Sequence, residues 1–253
     1  MDHEAVVSRY FECYVDSGKP GLSHILRRPA KSLRAFLSLS RLPCLYVRSS
    51  PSGADGAAIR SALSPSNPLA RVLGYPTAVL DLPGEAGQYS QGASKQTLRR
   101  KVRQAKRLGV RWAEVSDCAE RRRLLAAADN QERTHPNAMY RNPHPDNGSL
   151  FSYELWLAAY SADGKPLLLC VTPIDGEFAL LKYFRALGAG DEFSGARYLM
   201  TEVLVDHLVD RGVKYLIEGG SLAIPNGLRH FQRMLGFHFV RTRIASPGSA
   251  ARG

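Results

Sequence analysis

One long apolar stripe constrains the fold of this chain more than any other feature. Ala196, Leu199, Met200, Val203, Leu204, His207 and Leu208 recur at i, i+3, i+4, i+7, i+8, i+11 and i+12, the spacing of a helix with a continuous buried face. Gly212 stands where a C-terminal cap belongs, and Val213 to Glu218 then reads as a strand. Upstream, Leu167 to Thr172 and Glu177 to Phe184 read as a hairpin turning at Asp175-Gly176. Strand, helix and strand in succession form a βαβ unit, whose crossover joins parallel strands. A chain holding that unit is built around a sheet.

The remaining segments fit around it. Val6, Val7, Tyr10, Phe11 and Tyr14 predict a helix that stops at Ser17-Gly18-Lys19-Pro20-Gly21. Leu42 to Arg48 predicts a short strand, Ala57 to Leu63 a short helix, and Thr77 to Leu82 a second strand. Leu98, Val102, Ala105 and Leu108 make an apolar stripe along a helix from Ser94 to Leu108, closed by Gly109. A strand is expected at Arg111 to Val115, a helix at Glu120 to Asn130, and a long irregular loop at Thr134 to Gly148, where three prolines and two histidines fall. Leu155 to Tyr160 is read as helix, Asn226 to Leu235 as the last helix, and Phe237 to Ile244 as the last strand. Ala245 to Gly253 is read as a disordered tail.

Composition narrows the class of partner. The 253 residues carry 34 Lys and Arg against 23 Asp and Glu, a formal charge of +11, which favours an anionic partner: nucleic acid, a phosphorylated cofactor or a membrane surface. No apolar run approaches the ~18 residues of a spanning helix, and Met1-Asp2-His3-Glu4 begins acidic, unlike a signal peptide. The four cysteines, Cys13, Cys44, Cys118 and Cys170, form no CxxC pair, as in proteins of reducing compartments. A soluble, cytoplasmic protein is expected.

Two segments carry the anion-binding signal. From Lys95 to Arg111 there are eight positive charges and no acid, and Arg99, Arg100, Lys101, Arg103, Lys106 and Arg107 cover the face opposite the apolar stripe. An ordinary solvated face is the alternative. Ahead of the long helix, Ser194, Gly195 and Ala196 are small enough to let a pyrophosphate approach a helix N-terminus, and Arg197 adds a charge there, although Asp191 and Glu192 oppose it. Gly219-Gly220-Ser221 after a strand echoes a nucleophile elbow, but no Asp or Glu follows Glu218, so a hydrolase triad has no acid. His135 and His144 lack ligand partners at metal spacing, and no metal is expected.

The order of hairpin, small-residue turn, amphipathic helix, strand ending in Glu218, then Asn226-Gly-Leu-Arg-His-Phe-Gln-Arg-Met-Leu-Gly-Phe237 resembles the GNAT fold of N-acyltransferases, over roughly Tyr75 to Ile244. Gly74-Tyr75-Pro76 to Leu82 with the basic helix, and the Gly227-Leu-x-x-Phe231-x-x-x-x-Gly236-Phe237 ending, look like the Fem-like branch and the aminoacyl-phosphatidylglycerol synthases. The resemblance implies an α/β (α+β) GNAT fold, a mixed twisted sheet with splayed parallel strands and flanking helices. It implies a GNAT-like domain at 74–244; residues 1–73 are read as a loosely organised N-terminal region of helix and short strand, with a partial GNAT-like lobe as the alternative. It also implies transfer of an acyl group from acetyl-CoA or another acyl-CoA to a small-molecule or peptide amine. The donor's pyrophosphate would lie at Ser194 to Arg197, and its pantetheine arm between Phe178 to Arg185 and Val213 to Glu218. Glu218 is the candidate base, with Ser221 or Asn226 orienting the acceptor or holding the oxyanion.

Two positions depart from the family pattern. Gly188-Ala-Gly-Asp-Glu-Phe-Ser-Gly195 replaces the RxxGxG donor loop, and Gln232 stands where a general-acid tyrosine is frequent. Fem-like enzymes draw on aminoacyl-tRNA, so such a transferase, with tRNA on the basic helix, is the alternative. A non-catalytic nucleic-acid or protein-binding derivative is a further one.

Overall fold

A computed structural model of the protein describes residues 2–16, 28–50, 52–64, 74–218, 224 and 226–245. Along the chain come α1 (His3–Asp16), α2 (Pro29–Ser40), β1 (Cys44–Val47), α3 (Ala54–Leu63), β2 (Tyr75–Asp81), α4 (Gln96–Arg107) and β3 (Arg111–Glu114). There follow α5 (Cys118–Thr134), β4 (Leu155–Tyr160), β5 (Pro166–Thr172), β6 (Ile174–Asp175), β7 (Phe178–Leu180) and β8 (Tyr183–Ala186). The chain continues with α6 (Asp191–Asp210), β9 (Tyr215–Glu218), α7 (Asn226–Leu235) and β10 (His238–Ile244). The turn expected at Ser17–Gly21, the segment Gly219–Ala223 and the expected tail beyond Ala245 lie outside the described residues.

The strands form two sheets. One runs β1-β10-β2-β9-β7-β6 and the other β3-β4-β5-β8. Helical stripes cover one face: Leu98, Val102 and Ala105 of α4 pack with Ala196, Leu199, Met200, Val203 and Leu204 of α6. Ile59 and Leu63 of α3 and Leu124, Leu125 and Ala128 of α5 cover the other. β1 lies parallel to β10, which joins residues 44–47 to the edge of the larger sheet.

β4 corrects the sequence reading, which took Leu155 to Tyr160 for helix. The segment pairs antiparallel with β3 and with β5. Leu155, Leu157 and Ala159 enter one core and Trp156 and Ala158 the other, so a strand covered on both faces shows no polar alternation. The hairpin is corrected too. Its two-stranded turn is formed by β6 and β7, while β5 pairs with β4 and β8.

The strand expected at Glu177 to Phe184 is broken, and the break positions the site. β7 runs parallel to β9 with Leu180 opposite Ile217, as a βαβ crossover requires. The Leu181 N–H donates to the Ile217 carbonyl at 2.8 Å, and the Lys182 N–H turns back to the Leu180 carbonyl at 2.8 Å. Beyond that kink Tyr183 pairs with Val171 of β5, so β8 leaves β9 for the second sheet. Two parallel strands that start as neighbours therefore splay apart.

Candidate active site

The splay opens a cleft of ≈ 220 Å³. Its walls come from Leu181 to Arg185 at the kink, Thr201 and Leu204 of α6, Leu216 and Glu218 of β9, and Phe231, Gln232 and Leu235 of α7. The two-residue period of β9 puts Leu216 and Glu218 on the same face, turned to this cleft, while Ile217 points into the opposite core.

Glu218 is the acidic group of the cleft wall. Burial pushes its carboxyl up to about 7, and no cation among the described residues opposes the shift. Its partner is Gln232 on α7, whose Nε2 donates to Glu218 Oε2. Gln232 is 5% exposed, and its Oε1 has no partner among the described residues. A buried amide oxygen without a donor is costly. The cleft thus holds two acceptors, a carboxyl titrating near neutrality and an unsatisfied amide oxygen, side by side. That pairing suits a substrate bearing N–H groups.

The helix carrying Gln232 is braced from the N-terminal region. Arg233 donates to Glu12 Oε1 at 3.1 Å and to Ser8. Arg229, 1% exposed, lies 3.9 Å from the same carboxylate, and burial lowers the pKa of its guanidinium. The Phe239 N–H, at the start of β10, is held by Glu4 Oε1 at 3.0 Å.

A second cluster adjoins the cleft, and sequence reasoning did not find it. Glu132 of α5, 5% exposed, accepts from the Tyr183 hydroxyl at 2.9 Å and from Asn147 at 3.2 Å. It also pairs with Arg185 at 3.0 Å. The Tyr183 phenol is pushed above its usual range by burial and by the Glu132 charge. This network ties the irregular 134–148 loop to the strand that lines the cleft. Its members come from α5, the loop and β8, so no spacing in the sequence announces them.

The donor turn is built differently from the expectation. The long helix begins at Asp191, with Gly190 as N-cap at φ +117°, not near Ser194. Asp191 and Glu192 in its first turn complement the helix dipole, which favours the earlier start. The Ser194 N–H is already bonded to the Gly190 carbonyl at 3.0 Å, and 195–197 lie deeper in the helix. Ser194 and Arg197 are exposed, whereas Gly195 and Ala196 face the core. A Cβ on Gly195 would stand 3.1 Å from Ala105 Cβ, so this glycine serves the close approach of α4 and α6. A Cβ on Gly188 would meet the Phe193 ring at 2.5 Å: the buried ring lies against the turn in front of the helix.

The basic helix forms as expected, with Leu98, Val102 and Ala105 of its stripe buried, while Leu108, expected to complete the stripe, is the C-cap and is exposed. Several of the cations are engaged in the fold, Arg103 with the Arg99 carbonyl at 3.4 Å and Arg111 with the Ala162 carbonyl among them. Arg99 donates to the Ser90 and Gly92 carbonyls at 2.7 and 2.6 Å, and Lys95, at the cap, reaches the Leu235 carbonyl. Lys106 lies 4.0 Å from Glu202. Arg100, Arg103 and Arg107 are exposed on the outer face, with Lys101 partly so. Ser221 lies outside the described residues; Asn226 is the first residue of α7, and its side chain is likewise outside them.

No protein-family model and no curated protein matches the chain by sequence. Among solved structures it is similar to the C-terminal domain of a putative lysylphosphatidylglycerol synthetase from Agrobacterium fabrum. The TM-score is 0.50 and the identity 16%, over 66% of this chain and 58% of that one. L-PGS from Bacillus licheniformis gives 0.47 at 13% identity over 71% and 65%, and FemX gives 0.48 at 10% over 66% and 59%. The chain spans less than two thirds of the length of each of these structures. The fold is a mixed α/β, GNAT-like acyltransferase fold, as the resemblance in the sequence implies.

Proposed function

We propose that the protein transfers an acyl group to an amine in the cleft between β8 and β9, with Glu218 as the proton acceptor. The observation that carries this reading is the pair formed by Glu218, its carboxyl pushed up to about 7, and Gln232 Oε1, which has no donor among the described residues. An acceptor ammonium would give one proton to Glu218 and hold Gln232 Oε1 through another N–H. The freed amine then attacks the acyl carbonyl. The C–N bond forms, the bond from carbonyl carbon to leaving oxygen or sulfur breaks, and protonated Glu218 returns its proton to the leaving group; the carboxylate so restored takes the surplus proton from the new amide nitrogen and releases it to water. Positioning and proton transfer of this kind are each worth several kcal/mol of barrier.

Aminoacyl-tRNA is the donor that the surroundings favour over an acyl-CoA. A pyrophosphate at the α6 N-terminus would meet Phe193, packed on Gly188, and the carboxylates of Asp191 and Glu192. Meanwhile α4 offers Arg100, Arg103 and Arg107 to a phosphate backbone. The putative lysylphosphatidylglycerol synthetase domain to which this chain is similar is compatible with that donor class.

The test is a parallel assay with bulk charged tRNA and with acetyl-CoA, each with a panel of amines. Amine-dependent loss of the aminoacyl ester is expected. Reversing Arg100, Arg103 and Arg107 to Glu should weaken tRNA binding and flatten its salt dependence, by roughly 0.7 to 0.9 log units for each phosphate no longer neutralised. Transfer from acetyl-CoA with none from tRNA would return the donor to the acyl-CoA class. Unchanged tRNA binding would remove α4 from the account.

A further inference from the structure

The cleft opens through its sheet, and its two ends differ in chemistry. Tyr183 and Arg185 of β8 lie on the face covered by α5, where both meet Glu132. Leu216 and Glu218 of β9 lie on the other face, towards α6 and α7. All four nevertheless line the one cavity of ≈ 220 Å³, because the splay removes the backbone that would separate the two faces. At the α7 end stand the acceptors Glu218 and Gln232 Oε1. The cations of the wall are Arg185 at the α5 end and Lys182 at the kink. They stand apart from Glu218, whose pKa is raised by burial with no cation opposing it. The Arg185 guanidinium is mounted rather than used up: Glu132 fixes it at 3.0 Å and the Tyr183 ring lies 5.6 Å away, yet it donates no hydrogen bond to any described residue. Its side chain is 40% exposed. Lys182 is exposed and has no ion pair among the described residues. Glu132 and Asp129 belong to α5, behind the wall, and both are also tied to Asn147.

We propose that the acyl acceptor carries an oxyanion as well as its amine, a carboxylate or phosphate that Arg185 holds with Lys182 beside it, while the amine reaches Glu218 and Gln232. This rests on the transfer reading above and names the acceptor class for it. A guanidinium with its fork of N–H groups unspent matches the two oxygens of either anion. The anion belongs to the acceptor because α4, the surface offered to a tRNA donor, packs on α6, on the face opposite Arg185. A diamine would set its second ammonium against the two cations. The volume is below the ~300 to 1,000 Å³ of sites for drug-sized ligands, so the part of the acceptor inside is compact.

Calorimetric titration of the full chain without any donor tests this with three compact primary amines: β-alanine, phosphoethanolamine and the neutral β-alanine amide. One or both of the anionic amines should bind about tenfold more tightly than the amide. Arg185→Gln should erase that difference, and Arg185→Lys, which keeps the charge without the fork, should restore part of it. Arg185→Gln also takes a partner from buried Glu132, so Lys182→Gln is a second probe. It should weaken the anionic amines alone, about threefold, without moving the unfolding temperature. Equal affinity for all three amines, or a preference that survives both Arg185→Gln and Lys182→Gln, overturns the proposal. So does AMP binding more tightly than the anionic amines and failing with Arg185→Gln, because the guanidinium then serves the nucleotide end of the donor. A protein that binds anionic amines through Arg185 and yet acylates none of them overturns the transfer reading and leaves the oxyanion site standing.

Discussion

A carboxyl held near 7 by burial is ionised above that pH only against the cost of its desolvation, and Glu218 is such a group. Its folded pKa lies above its unfolded value of 4.5, so its contribution to stability is complete below pH 4.5 and is lost as pH rises towards 7. The shift from 4.5 to about 7 corresponds to about 3 kcal/mol. Glu218→Gln keeps the shape and removes the charge. It should match the wild type in urea unfolding at pH 4 and exceed it by up to about 3 kcal/mol at pH 8. A variant less stable than the wild type at pH 8 would mean that the charged form is held by something other than Gln232. Gain of stability with loss of activity is the signature of a group retained for chemistry.

At the scale of elements, the packing of α4 on α6 is set by Gly195, which meets Ala105 with no room for a side chain. Gly195→Val should force the two helices apart and cost about 1 to 3 kcal/mol in chemical unfolding, with or without any donor present. An unchanged midpoint would show that the helices pack more loosely than their distances. Helices whose faces differ were legible from spacing: α4, α6 and α7 appear close to where their stripes put them, and α7 spans Asn226–Leu235 as read. β4 was not legible, because Leu155 to Ala159 is apolar on both faces and period cannot separate a doubly covered strand from a buried helix. α2 escaped for the opposite reason. Leu33, Phe36 and Leu37 face outward and only Leu39 of its large residues packs on the core, so its pattern does not point at a core.

For the whole molecule, the site exists because one strand divides its pairing between two sheets. Phe178 to Leu180 stays beside β9 and Tyr183 to Ala186 crosses to β5, a division made by tertiary pairing that no local signal in residues 177–186 records. Glu218 was legible as the acid ending a strand of a βαβ unit. Gln232, Glu132, Tyr183 and Arg185 acquire their places only when α7, α5 and β8 converge, and the N-terminal helix matters to the site by bracing α7 through Glu12. The most direct measurement of the central claim is the pH dependence of kcat/KM for amine acylation, wild type against Glu218→Gln. The wild-type profile should rise through an inflection near 7, and the variant should lose that inflection and roughly 10²- to 10⁴-fold in rate. A variant that keeps both the rate and the inflection would contradict the assignment of Glu218 as the base.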